Sequence, residues 1–169
     1  MLKGIDPVLT PDLLRALAAM GHNEWVALVD SNFTGERLAK NCTYIRLSGV
    51  DLVRATQAVL SVLPLADDVP APVGYMHHCG QVPQFQTPVQ KAAIAVALTH
   101  GLAKEEPPHT VATAPNLAIA GRPAGGTRAQ AIERFAFYQQ MPAVSVMVQT
   151  GEMSPYGNVL LCKGLVKAA

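Results

Sequence analysis

Two titratable side chains near the start of the chain have the types and the setting for proton transfer. His22 follows Gly21 at the end of a predicted helix, and Asp30 follows the apolar run Trp25-Val26-Ala27-Leu28-Val29. An imidazole, with an ordinary pKa of about 6.5, gives and takes protons near neutrality. A carboxylate at the carboxyl end of a buried strand stands where ligands bind in open α/β sheets. Acid–base chemistry is what such a pair would do. Whether the two meet in space depends on the turn at Asn23-Glu24, which the sequence leaves open.

The elements that must position them read as follows. Thr10-Pro11-Asp12 opens a helix, with Thr10 as cap, Pro11 at the first helical position and Asp12 facing the positive end of the dipole. Leu13, Leu14, Leu17 and Met20 give it one apolar face, and Gly21 is its expected left-handed stop. Residues 25–29 run apolar without alternation, as a strand buried on both faces does. Ser31-Asn32-Phe33-Thr34-Gly35 reads as a loop, and Thr43–Leu47 as a second strand. Ser48-Gly49 introduces a helix over about 50–63, with Val53, Ala55, Val59, Leu60 and Leu63 as core positions and Pro64 as its stop. Val73–Met76 is a third strand, and Pro88–His100 a helix ended by Gly101. A further helix is expected over Ala129–Gln140, with Ile132, Phe135, Ala136 and Phe137 on its apolar side. Ala143–Val148 and Val159–Cys162 read as strands, the last one antiparallel. This alternation predicts a single domain over 1–169 of α/β class: three layers, α/β/α, on a mostly parallel sheet with an antiparallel C-terminal strand. The stretch 104–127, with Pro107-Pro108, Pro115, Pro123 and Gly125-Gly126, reads as a long loop or insertion, with room for a short strand near Thr110–Ala112.

Composition narrows the partners. A net charge of +1 carries no electrostatic footprint for nucleic acid or an anionic membrane surface. No apolar run reaches the roughly 18 residues of a membrane span, and the start of the chain lacks the apolar core of a signal peptide. Only 15% of residues are charged against a usual quarter, so a lone chain would leave much apolar surface in water and self-association is expected. Cys42, Cys79 and Cys162 are odd in number and lack metal-ligand spacing, which fits a reducing cytoplasm. His77-His78-Cys79 is a poor metal site, since neighbours on a strand point to opposite faces.

The order of several segments resembles the RbsD/FucU family of sugar mutarotases, D-ribose pyranase and L-fucose mutarotase. They are the N-terminal helix, Gly21-His22, Asp30, the run Arg134-Phe135-Ala136-Phe137-Tyr138, and Thr150-Gly151-Glu152 followed by Tyr156-Gly157-Asn158. The resemblance covers roughly 1–80 and 128–165 and is stronger to the fucose branch, because Arg134 falls where that branch has a substrate-binding arginine. It implies His22 as the catalytic proton donor, and Asp30, Arg134, Tyr156, Gly157 and Asn158 as substrate-binding residues. It also implies no cofactor and no metal, a monosaccharide as the ligand, and a ring-like homo-oligomer with sites near subunit interfaces. The chain departs from the family in Thr34, where a proline is usual, and in Asn23-Glu24 after the histidine.

These residue types suit the implied reaction. Mutarotation opens a cyclic sugar and closes it on the other face of the carbonyl; one group takes the anomeric proton and another protonates the ring oxygen. Arg134 would supply fixed charged donors, Tyr156 and Asn158 both donors and acceptors, and Gly157 close approach of backbone to ligand. Three other readings stand beside this one: a ribose pyranase, a sugar-binding protein without turnover, and a structural ring. Tyr138, His77 and His78 are open as pocket residues. Trp25, Phe33, Phe135 and Phe137 are expected in the core or at subunit contacts.

Overall fold

The computed structural model describes residues 2–100 and 129–166. In chain order these form α1 (Pro11–Ala19), β1 (Trp25–Val29), α2 (Gly35–Leu38), β2 (Thr43–Leu47), α3 (Leu52–Leu60), β3 (Val73–Met76), α4 (Pro88–Thr99), β4 (Ala129–Ile132), α5 (Arg134–Gln140), a 3-10 turn (Met141–Ala143), β5 (Val144–Thr150) and β6 (Val159–Cys162). The strands make one sheet in the order β2-β5-β1-β6-β3-β4. β1, β2 and β5 are mutually parallel, as are β3 and β4; β6 runs antiparallel to both β1 and β3. Five strands therefore point one way and the last one points back through the middle of the sheet.

Alternate residues of β1 feed two cores. Val26 and Leu28 join Leu13 and Leu17 of α1, Leu52 and Val59 of α3, and Ile94 of α4. Trp25, Ala27 and Val29 face the other way, onto Ala136, Phe137 and Met141. Helices thus cover both faces of a mixed α/β sheet, in the three layers expected.

The local signals explain most element ends. The Thr10 hydroxyl accepts from the Leu13 N–H at the start of α1. Thr87 and Gln90 form a reciprocal capping box at the start of α4, with Pro88 at its first position. Four expectations need correction. Helix α1 ends at Ala19, and the left-handed residue of the following turn is Asn23 (φ 63°), not Gly21. Asp51, not Ser48-Gly49, caps α3, its carboxylate accepting from the Arg54 N–H at 2.8 Å. The loop expected over 31–35 ends one residue early, because Gly35 opens the short helix α2. Residues 129–132 are a strand, because edge pairing with β3 outweighs their helical propensity; α5 starts only after Glu133, whose carboxylate caps it. That shorter helix leaves Phe135 exposed, with the Arg134 guanidinium 4.7 Å above its ring. The expected insertion at 104–127, its strand near Thr110–Ala112, and Gly101 lie outside the described residues. No helix among the described residues is long and apolar enough to cross a membrane.

Leu28 is fully buried in β1, between β5 and β6. Leu28→Ala is expected to lower stability by about 2–5 kcal/mol through the lost burial and the cavity left. A drop in the urea midpoint with an unchanged slope would show it; a midpoint within error of the parent would contradict this packing.

Candidate active site

Because five strands share a direction, their carboxyl ends line one edge of the sheet, and β6 begins at that same edge. Asp30 ends β1 there, and Asn158 immediately precedes β6. The two interlock: the Asp30 N–H donates to Asn158 Oδ1 (3.0 Å) while Asn158 Nδ2 donates to Asp30 Oδ2 (2.8 Å). The other carboxylate oxygen accepts from the Asn32 N–H at 3.0 Å. Both side chains are buried. Burial lifts the Asp30 carboxyl above its ordinary value, and the bonds from Asn158 and Asn32 pull part of that back.

Around this pair lies a cleft of about 210 Å³, lined by Asp30, Asn32, Phe33, Met76, Arg134, Tyr138, Pro155, Tyr156 and Asn158. Arg134 opens α5, and its Nε–H is buried without an acceptor among the described residues. A buried donor of that kind is costly unless something arrives to accept from it. Tyr156 stands in left-handed backbone (φ 62°), rare for a bulky residue. Its carbonyl is held by Gln90 Nε2 (2.7 Å) and by the Asn158 N–H (2.7 Å). Its ring lies 4.3 Å from that of His78, and a hydrogen bond with the Cys79 side chain, with some burial, raises its phenol above the ordinary value.

The sequence thus places four of its candidates, Asp30, Arg134, Tyr156 and Asn158, on one cleft, and Tyr138 joins them. Gly157 plays a different part from the one expected. It does not line the cleft; a Cβ there would meet Glu152 Cγ at 2.8 Å and the Ser154 carbonyl at 3.0 Å, so its smallness lets the loop pack down. His22 is elsewhere. It precedes β1, whereas Asp30 follows it, and six steps of roughly 3.3 Å separate the two edges by about 20 Å. His22 pairs instead with Asp68. His77 donates Nε2–H to the Val82 carbonyl and does not line the cleft, and His78 reaches its rim through Tyr156.

Sequence reasoning missed two buried amides that hold the site together. Gln149 Nε2 contacts the carbonyls of Asp30 (3.3 Å), Ser31 (2.9 Å) and Phe33 (3.0 Å), and its oxygen accepts from the Tyr44 hydroxyl. Gln90 Nε2 bridges the carbonyls of Met76 and Tyr156. The signal for Gln90 was available in the spacing Thr87-x-x-Gln90; Gln149 was hidden by ending the strand at Val148 rather than Thr150.

Comparison with known proteins agrees with this architecture. The sequence matches the RbsD / FucU transport protein family continuously over residues 3–166, including the middle that the motifs alone left out. The chain belongs to this family. Among its relatives, the fucose mutarotase of Mus musculus is 32% identical over 166 residues, covering 96% of this chain and 94% of the relative. The solved FucU of Bifidobacterium longum is 28% identical with a TM-score of 0.79, covering 98% of this chain and all of the other. The fucose mutarotase of Streptococcus pneumoniae, solved in complex with L-fucose, is 25% identical with a TM-score of 0.74 over 98% of this chain and all of the other.

The Asp30–Asn158 interlock makes a pH-dependent prediction. Asp30 has a folded pKa above its unfolded value of 3.8. The stability it contributes is therefore fully present below that value and is lost as pH rises through the folded pKa. Asn158→Ala removes a bond that holds the pKa down and leaves the buried Asp30 N–H unpaired. The variant is expected to lose about 1–3 kcal/mol at about pH 7, and less at about pH 3, below the unfolded value of 3.8, where Asp30 carries its proton in both states. Urea unfolding at both pH values checks this; equal losses would contradict it.

Proposed function

We propose that this chain is an L-fucose mutarotase, and the observation that carries the reading is the meeting of a buried carboxylate, Asp30, with an Arg134 Nε–H that has no acceptor among the described residues, on one small cleft. At about 210 Å³ the cleft falls below the roughly 300–1,000 Å³ typical of drug-sized ligand pockets, a size that suits one sugar ring. Its lining offers acceptors (Asp30, Asn158), donors (Arg134, Tyr156, Asn158) and aromatic faces (Phe33, Tyr138), the mixture a neutral polyol needs. The relatives named fucose mutarotase, and the neighbour that holds L-fucose, support this sugar.

The reaction then runs as two proton transfers around one bond. Asp30, more basic than an ordinary carboxylate because it is buried, takes the proton of the anomeric hydroxyl. His22 gives a proton to the ring oxygen, and the bond from the anomeric carbon to that oxygen breaks. The open aldehyde turns about its single bond and closes on its other face, with both protons returning. Arg134 supports the oxygen that gathers charge, and Tyr156 and Asn158 hold the hydroxyls.

His22 and Asp30 stand at opposite edges of the sheet, so one chain cannot apply both to one monosaccharide. The active unit is therefore a homo-oligomer in which His22 of one subunit faces the Asp30 cleft of the next. The low charge content supports such an assembly, and three free cysteines support a reducing cytoplasm as its setting.

Saturation-difference proton NMR with L-fucose and D-ribose tests the reading. Exchange between α and β L-fucose is expected to exceed the buffer rate and the D-ribose response; no enhancement for L-fucose would refute it. His22→Ala should lower exchange by about 10²–10⁴-fold with the particle size unchanged by light scattering. Mixing His22→Ala with Asp30→Ala subunits, each inactive, is expected to restore part of the activity after subunit exchange. No recovery in demonstrably mixed oligomers would rule out the shared site.

A further inference from the structure

One buried acid takes no part in the reaction as drawn. Glu152 follows β5 at the edge where β1, β2 and β5 end, and its side chain does not line the cleft. Three loops converge on it. Its carbonyl accepts from the Ser31 N–H (2.8 Å), in the loop after Asp30. Its own N–H donates to Thr150 Oγ1 (3.2 Å), whose hydroxyl donates to the Val29 carbonyl (2.9 Å). The carboxylate spans two more segments. Oε1 accepts from the Ser154 N–H (2.8 Å), in the turn that leads to Tyr156 and Asn158, and Oε2 stands 3.5 Å from the backbone nitrogen of Leu52, the first residue of α3. Both are donors, and the first turn of α3 is the positive end of its dipole, so the place suits an anion. The chain comes this close because the preceding residue has no side chain: a Cβ at Gly151 would meet the Ser48 carbonyl oxygen at 2.1 Å.

Glu152 also reaches Asp30. A Cβ at Gly157 would lie 2.8 Å from Glu152 Cγ and 3.5 Å from Asp30 Cβ, so both acidic side chains pack against one glycine. We propose that Glu152 is a positioning residue of the sugar site: it clamps the Tyr156–Asn158 loop to α3 and sets a second negative charge behind Asp30, out of reach of the sugar. The inference rests on the reading of Asp30 as the base. Like charges held close in a buried place favour the protonated form of the one that can take a proton. Burial is the largest cause of the raised Asp30 value; the Glu152 charge adds to it, against the bonds from Asn158, Asn32 and Phe33. The other charged groups around the pair have their own places. Asp51 caps α3, Arg54 pairs with Asp6 at 2.7 and 2.8 Å, and Arg134, Tyr138 and Tyr156 face Asp30 across the cleft.

The pH dependence of kcat/KM for L-fucose exchange tests this on the full-length protein. The sugar is neutral, so the acid limb reports the base, Asp30. Glu152→Gln keeps an acceptor for the Ser154 N–H and removes the charge. Its acid limb is expected to move to lower pH, with the plateau of kcat down about threefold as the base weakens and KM within about twofold because no sugar contact is lost. Glu152→Asp keeps the charge on an arm one methylene shorter. Its limb is expected to stay with the parent's, while KM rises as the Tyr156–Asn158 loop loosens. An unmoved limb in Glu152→Gln would leave Glu152 a loop clamp alone, and a limb moved alike in both variants would make loop geometry the cause; either overturns the assignment. If the parent protein exchanges no sugar, the mutarotase reading fails. Carbon-13 titration of the Asp30 carboxyl, assigned by its loss in Asp30→Asn, then still decides whether Glu152→Gln lowers the Asp30 midpoint.

Discussion

The interlock of Asp30 and Asn158 is the contact on which the rest of the site depends. Each side chain satisfies the other, and the Asn158 amide also satisfies the Asp30 backbone. A buried carboxylate without such partners would cost several kcal/mol or simply stay protonated. Here it is kept dry enough to be basic and bonded enough to be ionisable, a compromise that acid–base chemistry needs. The pairing exists only because β6 enters the sheet antiparallel. Its first residues then arrive at the edge where β1 ends. A sixth parallel strand would deliver its carboxyl end there, with no Asn158 to meet Asp30.

The same economy governs the loops. Three carbonyls after β1 converge on one amide, Gln149, and two further carbonyls converge on Gln90. Irregular backbone can be buried only if its polar groups are paired. These two side chains do for the loops what ladder bonds do for strands. Gln90 further holds Tyr156 in a backbone conformation that costs of order 1–3 kcal/mol. Strain at the ring-bearing residue and over-determination around it occur together, as expected where geometry serves a ligand.

The fold was largely legible in the sequence, for a physical reason. Buried strands and capped helices are written in contiguous residues, and β1, β2, β3 and β6 have the bounds that their apolar runs suggest. The failures fall where a distant partner decides. Residues 129–132 look helical alone and become a strand because β3 offers an edge. The site divides in the same way. Asp30, Arg134, Tyr156 and Asn158 could be named as candidates from motif order, but their convergence required the sheet order. His22 could be named too, and the apolar run 25–29 between it and Asp30, read as a strand, already implies that the two stand at opposite ends of β1. Gly157 has the residue type that ligand approach would demand, and it serves packing against Glu152 instead.

The two-edged layout has a chemical logic. Opening and reclosing a sugar ring needs an acid and a base on opposite sides of one bond, each with its protonation state protected from the other. If His22 and Asp30 shared one edge of one chain, the imidazolium would sit beside the carboxylate and draw its proton affinity down, exchanging a useful base for a resting ion pair. About 20 Å of β1 keeps them apart within one chain. Each has its own surroundings: Asp30 is buried against Asn158, and His22 contacts Asp68 on a turn whose backbone is bonded to Lys163. In the proposed reaction, assembly would belong to the catalytic geometry, because only a second chain could bring an imidazole from the opposite end of the sheet to the Asp30 cleft.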